Sequence, residues 1–431
     1  MDGAVGPYVV KRVLMVAFHF PPQRGSSGVQ RTLAFSRHLP ALGWQPAVLT
    51  AHPRAHASRG QEQVGEIPPD LPVERAFALD SARHLSIRGR YLGALALPDR
   101  WVAWCLGAIP AGLRMVRRLR PAVIWSTYPI ATAHLIGLAL HRLTGLPWVA
   151  DMRDPMIDAG HPSGRAVRAA FGWIEARTIR HAARVVCTTR GALAAYRDKY
   201  PEADPAKFVM IENGYDEDNF TGAQAAAAAG ASAGAGAARP LLLLHSGIIY
   251  PSERDPVPFF QALATLLAEG KVSAATLQVR LRAAVHEAYL SALIDQYGIG
   301  AIVSLAPHLP YREALSEMLA ADALLVLQGA SCNCQVPAKL YEYLRARRPI
   351  LALTDAAGDT AATLRSAGID TIGPLDEPQR IAAVLLDFMA RMRAGSVVLP
   401  ADQVVLANSR QARAVQLAAL LDDVAVGRGI S

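Results

Sequence analysis

The sequence predicts an α/β chain of two doubly wound parallel-sheet domains. Two observations carry this: apolar strand-like runs alternate with helix-period segments through both halves, and a stretch without large side chains separates the halves. Length agrees, because 431 residues at roughly 150 per domain leave room for two or three cores.

In the first half the strands start at Val13 (VLMVAF), Pro46 (PAVLT), Ala122 (AVIWST), Pro147 (PWVAD), Arg184 (RVVCTT) and Phe208 (FVMIE). Helical periodicity fills most of the gaps: Val29 to Leu42, stopped by Gly43; Trp101 to Leu119; Ile130 to Leu143, stopped by Gly145; and Arg165 to Ala182. From Thr221 to Ala238 the chain reads TGAQAAAAAGASAGAGAA, which offers nothing to bury and predicts a linker or loop. Strands resume at Leu241, Leu277, Ala301, Ala323 and Pro349, with helices at Pro256 to Ala268, His286 to Tyr297, Tyr311 to Ala320, Pro337 to Ala346 and Thr360 to Ala367. The expected boundaries are 1–220, a linker at 221–239, 240–400, and a C-terminal helical stretch over 401–431, from Gln403 to Val424, packing back across the hinge. Two such domains would face each other across a central cleft at the carboxyl ends of their strands, where open sheets take ligands.

Composition excludes other classes. Hydrophobic residues make up 52% and charged residues 19%, which rules out wholesale disorder. The net charge of +8 favours an anionic partner without choosing among phosphorylated ligand, nucleic acid and acidic membrane. Cys105, Cys187, Cys332 and Cys334 have neither zinc-site nor disulfide-framework spacing, as expected of a reduced cytoplasmic chain. The N-terminus lacks a signal-peptide core, and the apolar run VAWCLGAIPAGL is too short to span a bilayer, so the expectation is a soluble or peripheral protein.

Several stretches can carry chemistry. After the first strand, FHFPPQRGSSGVQR places Gly25 to Gly28 at the start of a helix, where backbone amides can point at an anion; a plain strand-to-helix turn is the equal alternative. His19 beside this turn is placed for an acceptor, whereas His134 sits among apolar helical neighbours and also reads as a hydrogen-bonded core histidine. PWVADMRDPM ends a buried strand in Asp151, Arg153 and Asp154, candidates to orient a hydroxyl or take its proton, or a pair capping the next helix. In SGIIYPSERDP, Arg254 can meet phosphate, or pair with Glu253 and Asp255 on a solvated loop. In VPAKLYEYLRARRPIL, Lys339 and Glu342 share a helix face and can serve a diphosphate and a ribose, or form a surface pair. No carboxylate cluster or His/Cys set suggests a metal.

Together, in this order, these stretches resemble family 4 glycosyltransferases, including a subgroup with Arg-Asp-Pro in the N-terminal domain. The resemblance implies two Rossmann-like domains of the GT-B type, the first binding acceptor and the second nucleotide-sugar. IENGYDEDNF is similar to the segment closing the first domain, so Asn213, Gly214 and Asp216 mark the crossover. It implies donor contacts at Ser27, Gly28, Gly247, Arg254, Lys339, Leu340 and Glu342, acceptor contacts at His19 and His134, and catalytic roles for Asp154, Arg153 and Asp151, with Asp154 favoured over Asp151. The chain departs from the pattern where Cys334 replaces the family's first acid, and where Ile248 and Ile249 follow Gly247 in place of Gly-Arg.

The function this implies is retaining transfer of a sugar from a UDP- or GDP-sugar to a hydroxyl of a saccharide or lipid-linked acceptor, in cell-envelope or exopolysaccharide synthesis. No cofactor or metal and no nucleic acid is expected. Basic helices from Gly112 and Gly164 would suit the anionic inner face of a membrane, or simply solvate exposed helix faces. The alternatives are a nucleotide-sugar epimerase of the same fold and a catalytically decayed nucleotide-sugar-binding module.

Overall fold

The computed structural model describes residues 11–426 except 25–26, 62, 87, 89–92, 159 and 224–238. The chain divides into two compact units, Met1–Asn213 with Arg410–Ser431, and Gly214–Ser409.

The first unit is built on seven parallel strands: β1 (Lys11–Val16), β2 (Trp44–Ala51), β3 (Val73–Ala76), β4 (Val123–Thr127), β5 (Trp148–Arg153), β6 (Arg184–Cys187) and β7 (Phe208–Met210). Their order is β3-β2-β1-β4-β5-β6-β7, so the winding reverses between β1 and β4. Residues just past those two strands stand at the switch point, where ligands of open sheets bind. Alternate residues of β1 feed cores on opposite faces: Leu14 and Val16 pack with Ala111, Met115 and Ile136, and Val13 and Met15 with Leu33, Phe35 and Leu417. Because both faces are covered, the strands read as continuous apolar runs.

The second unit has six parallel strands: β8 (Leu241–Ser246), β9 (Leu277–Arg282), β10 (Val303–Ala306), β11 (Ala323–Gln328), β12 (Ile350–Thr354) and β13 (Ile372–Gly373). Their order, β10-β9-β8-β11-β12-β13, reverses between β8 and β11. Here too, one core lies on each face, around Leu263, Leu281 and Phe388 on one side and Leu324, Tyr341 and Leu344 on the other.

The boundaries differ from expectation for identifiable reasons. The division falls at Asn213 and Gly214 because Tyr215 and Phe220 are buried in the second unit's core. The C-terminal stretch is two helices, Asp402–Ala407 and Arg410–Val426. The second completes the first unit, through Ala414, Leu417 and Leu421 and through an Arg413–Glu212 ion pair of 2.5 Å. The helix expected to Leu42 ends at His38, with a 3-10 turn over Pro40–Leu42 closed by Gly43 at φ +82°, because proline lacks the amide a continuing helix needs. Short β3 and β13 and the helices Arg190–Lys199 and Pro378–Ala394 were not expected. Most of the Ala/Gly stretch lies outside the described residues.

Candidate active site

In the first unit, β1 delivers His19 and β5 delivers Arg153 to the start of the Ser27–His38 helix. The approach is close at Gly28, where a Cβ would stand 2.9 Å from His19 Nδ1 and 3.0 Å from Arg153 Nη1. Glycine there is therefore a packing requirement. Arg153 reaches the spot through an irregularity in β5: the register shifts between Asp151 and Arg153, and Arg153 adopts φ +61°. A bulge with a left-handed residue re-aims one side chain, and such strain is typical of functional sites. Arg153 is 6% exposed. Burial is the main force lowering His19, held at about 3, with Arg153 and His56 adding repulsion. His19 is thus a neutral imidazole at neutral pH.

The two aspartates have different surroundings. Asp151 is fully buried and saturated: Arg31 grips it with Nε and Nη2, each at 2.9 Å, and Thr127 Oγ1 donates to it at 2.8 Å. Arg31 also donates to the carbonyls of Glu212 and Ile211. Asp154, one residue past β5, accepts from Thr188 Oγ1 at 3.3 Å. Burial raises its pKa, opposed chiefly by the nearby Arg153 charge, a setting that suits proton transfer.

His134 requires a correction. It is fully buried, with Nδ1 2.8 Å from Ser126 Oγ, which also accepts from Trp148 Nε1. Its side chain therefore packs in the core, with Nε2 buried and without a hydrogen-bond partner. Burial holds His134 at about 4. Below pH 6.5, an unfolded chain takes up a proton on this histidine that the folded chain refuses, so stability falls as pH drops from 6.5 towards 4. We expect His134→Asn to remove up to about 1.4 kcal/mol per pH unit from the slope of unfolding free energy in that window, measured by urea denaturation; an unchanged slope would contradict the assignment.

In the second unit, Gly247 follows β8 with φ +117°, and a Cβ there would stand 3.2 Å from Lys339 Nζ. Lys339, from the helix Ala338–Ala346, donates to His245 Nε2 at 2.9 Å, while His245 Nδ1 donates to Leu325 O at 3.0 Å. The second bond fixes the tautomer, because a carbonyl can only accept. Burial, then the Arg254 charge, pulls Lys339 well below the ordinary lysine value. Arg254 is 15% exposed, donates through Nη1 to Ile248 O at 3.2 Å, and stands over the Tyr250 ring. Its Nε is buried and has no hydrogen-bond partner. Glu253 is 3.9 Å from Arg254, too far for a hydrogen bond. Glu342, 7% exposed, accepts from Tyr311 Oη at 2.6 Å.

Two cations repelling each other beside a backbone glycine, one carrying an unpartnered buried donor, make an anion-ready site. The sequence reading missed His245 and Tyr311, although His245 closes the strand before Gly247 and Tyr311 opens a helix. Leu340 is a second correction: its side chain is fully buried in the core and its amide donates to Pro337 O, leaving neither for a ligand. The Ser27 side chain lies outside the described residues, as do Gly25 and Ser26. Among the described residues, no group of three or more His, Cys, Asp or Glu is placed to hold a metal, and no helix is long and apolar enough to cross a membrane.

Comparison with known proteins places these observations. Residues 27–214 match the family model described as a glycosyl transferase 4-like domain. A glycosyltransferase from Rickettsia africae is similar over 97% of this chain and 99% of its own, with 12% identity and a TM-score of 0.62. Anabaena Alr3699/HepE in complex with UDP-glucose is similar over 97% and 98%, with 13% identity and a TM-score of 0.60. Sucrose-phosphate synthase from Thermosynechococcus elongatus covers 97% and 97%, with 14% identity and a TM-score of 0.60. No curated protein matches the chain in sequence. The chain thus has the GT-B fold of two Rossmann-like domains, and its residues 27–214 are similar to the glycosyl transferase 4-like domain.

Proposed function

We propose that this protein is a retaining, metal-independent glycosyltransferase that moves a sugar from a nucleoside-diphosphate donor to a hydroxyl of a saccharide or lipid-linked acceptor, in cell-envelope or exopolysaccharide synthesis. The observation that carries the reading is the Arg254–Lys339–Gly247 arrangement with Glu342 on the same helix as Lys339. A diphosphate would supply the partner that buried Arg254 Nε lacks and would favour the charged form of Lys339, which burial and Arg254 disfavour. As the sugar–phosphate bond breaks, negative charge grows on the leaving phosphate, and these fixed cations stabilise it without reorganisation. Glu342, oriented by Tyr311, accepts from the vicinal ribose hydroxyls. In the first unit, Gly28 near the start of the Ser27–His38 helix leaves room for His19 and Arg153.

In the first unit, Asp154 is the residue we assign to the acceptor hydroxyl, with Arg153 holding its charge and neutral His19 hydrogen-bonding the acceptor. Asp151 is assigned to holding Arg31 instead of to chemistry, because its oxygens are already taken. Peripheral contact with an anionic membrane would use the basic helix Arg165–His181, where Trp173 is 51% exposed and Arg177 stacks on it.

Labelled UDP- and GDP-sugars test the reading: transfer or slow donor hydrolysis supports it, whereas epimerisation, or binding without turnover, contradicts it. Glu342→Ala is expected to weaken UDP binding about 10–100-fold, the worth of hydrogen bonds to a charged group, while Asp154→Asn lowers kcat about 100-fold and leaves UDP binding unchanged. Equal kinetics in both variants would contradict both assignments.

A further inference from the structure

A second cationic cluster lies at the carboxyl end of β2 in the first unit. His56 is 1% exposed, and neither of its ring nitrogens has a hydrogen-bond partner. Its ring stands edge-on to Phe18 at 5.0 Å, and its backbone carbonyl accepts from Arg83 Nη1, so the residue is held while its polar atoms are idle. Arg75, paired with Thr50 across β2 and β3, has a buried Nη1 that is also without a partner. Arg59, His52 and Arg54 complete the group. Among the described residues, none of Arg54, Arg59 and Arg75 has an ion pair. Burial and the charges of Arg75 and Arg59 together hold His56 at about 4.

The scaffold around the cluster is fixed. Gly60 N donates to Pro22 O at 2.8 Å, Arg24 N donates to Ser58 O, and Gln23 bridges Arg59. Arg24 packs closely over Gly60, where a Cβ would stand 2.3 Å from Arg24 Cδ. Arginine charges without ion pairs, beside buried polar atoms without partners, gain an interaction when an anion arrives. Unpartnered buried donors on an imidazole and a guanidinium, with the Arg59 charge acting on the same imidazole, suit phosphate oxygens.

We propose that His56, Arg75 and Arg59 form an anion site that takes a phosphate group carried by the acceptor. The site adjoins the acceptor candidate His19, whose charge state His56 influences and whose ring also contacts Phe18. Assigning the phosphate to the acceptor rests on the glycosyltransferase reading; the anion site does not.

The test uses the full-length Arg254→Gln protein, which weakens the cation pair in the second unit. Inorganic phosphate and glucose 1-phosphate are titrated calorimetrically, and flotation is measured with phosphatidylcholine vesicles containing phosphatidic acid. Adding Arg75→Gln is expected to raise the phosphate dissociation constant at least tenfold, and adding Arg59→Gln about threefold. Arg59 is exposed, so that variant folds, and near-UV circular dichroism checks both. A glucose 1-phosphate signal lost with Arg75→Gln supports the site for a soluble sugar phosphate; vesicle binding lost with it supports the site for a lipid phosphate. Phosphate affinity indifferent to both substitutions, or no phosphate binding at all, overturns the proposal. UDP binding to the unsubstituted protein is read in parallel. If UDP fails to bind while phosphate binding still depends on Arg75, the glycosyltransferase reading falls and the anion site stands.

Discussion

Replacing Arg254 by Ala is expected to lower kcat/KM for donor turnover about 100–1000-fold, the usual loss when one fixed donor to a developing negative charge is removed. The side chain is 15% exposed, braced by the Ile248 carbonyl and the Tyr250 ring, and carries a buried Nε without a partner. Its positive charge acts where water screens poorly, so the loss exceeds that of a surface arginine. Arg254→Lys should recover only part of the activity, because an ammonium lacks the planar fork. Steady-state kinetics with a labelled donor would show this; a loss below threefold for Arg254→Ala would remove Arg254 from the phosphate contacts.

The largest stability effect is expected at Asp151. Asp151→Ala leaves Arg31, itself 5% exposed, as an uncompensated buried charge, which costs about 3–5 kcal/mol of unfolding free energy. Arg31→Met should cost a similar amount, and the double variant less than the sum of the two, since pairs in direct contact are not additive. Urea denaturation of the four proteins measures the coupling. Additive losses would mean that the bidentate contact contributes little, and Asp151 would return as a candidate for chemistry. The contrast with Asp154 is sharp: Asp154→Asn should cost turnover, and Asp151→Ala should cost the fold.

Much of the fold was legible because it rests on period and punctuation. Runs such as VLMVAF and LLLLHSG are buried on both faces, and Gly43 and Gly145 sit after their helices with φ of +82° and +66°. The elements that escaped, β3 and β13, are four and two residues long, too short to show a period. The unit boundary was misplaced because the aromatic residues after Asn213 give no sign in sequence of which core takes them.

Sites were partly legible. Lys339 and Glu342 were proposed from helix spacing, and Arg254 from its place after a strand. Their supports, His245 and Tyr311, come from β8 and from a helix some thirty residues before Glu342, and only the folded chain joins them. Asp151 and Asp154 look equivalent in PWVADMRDPM; the bulge in β5 and the reach of Arg31 from another helix separate them. His134 and Leu340 were misassigned because helical position says little about which face meets the sheet.

The central claim is that the second unit grips a nucleoside diphosphate through Arg254, Lys339 and Glu342. Isothermal titration of UDP and GDP into the full-length protein and its Arg254→Ala and Glu342→Ala variants tests it most directly. The account predicts saturable binding of at least one nucleotide, weakened in both variants; no heat with either nucleotide, or affinity unaltered by both substitutions, would contradict it.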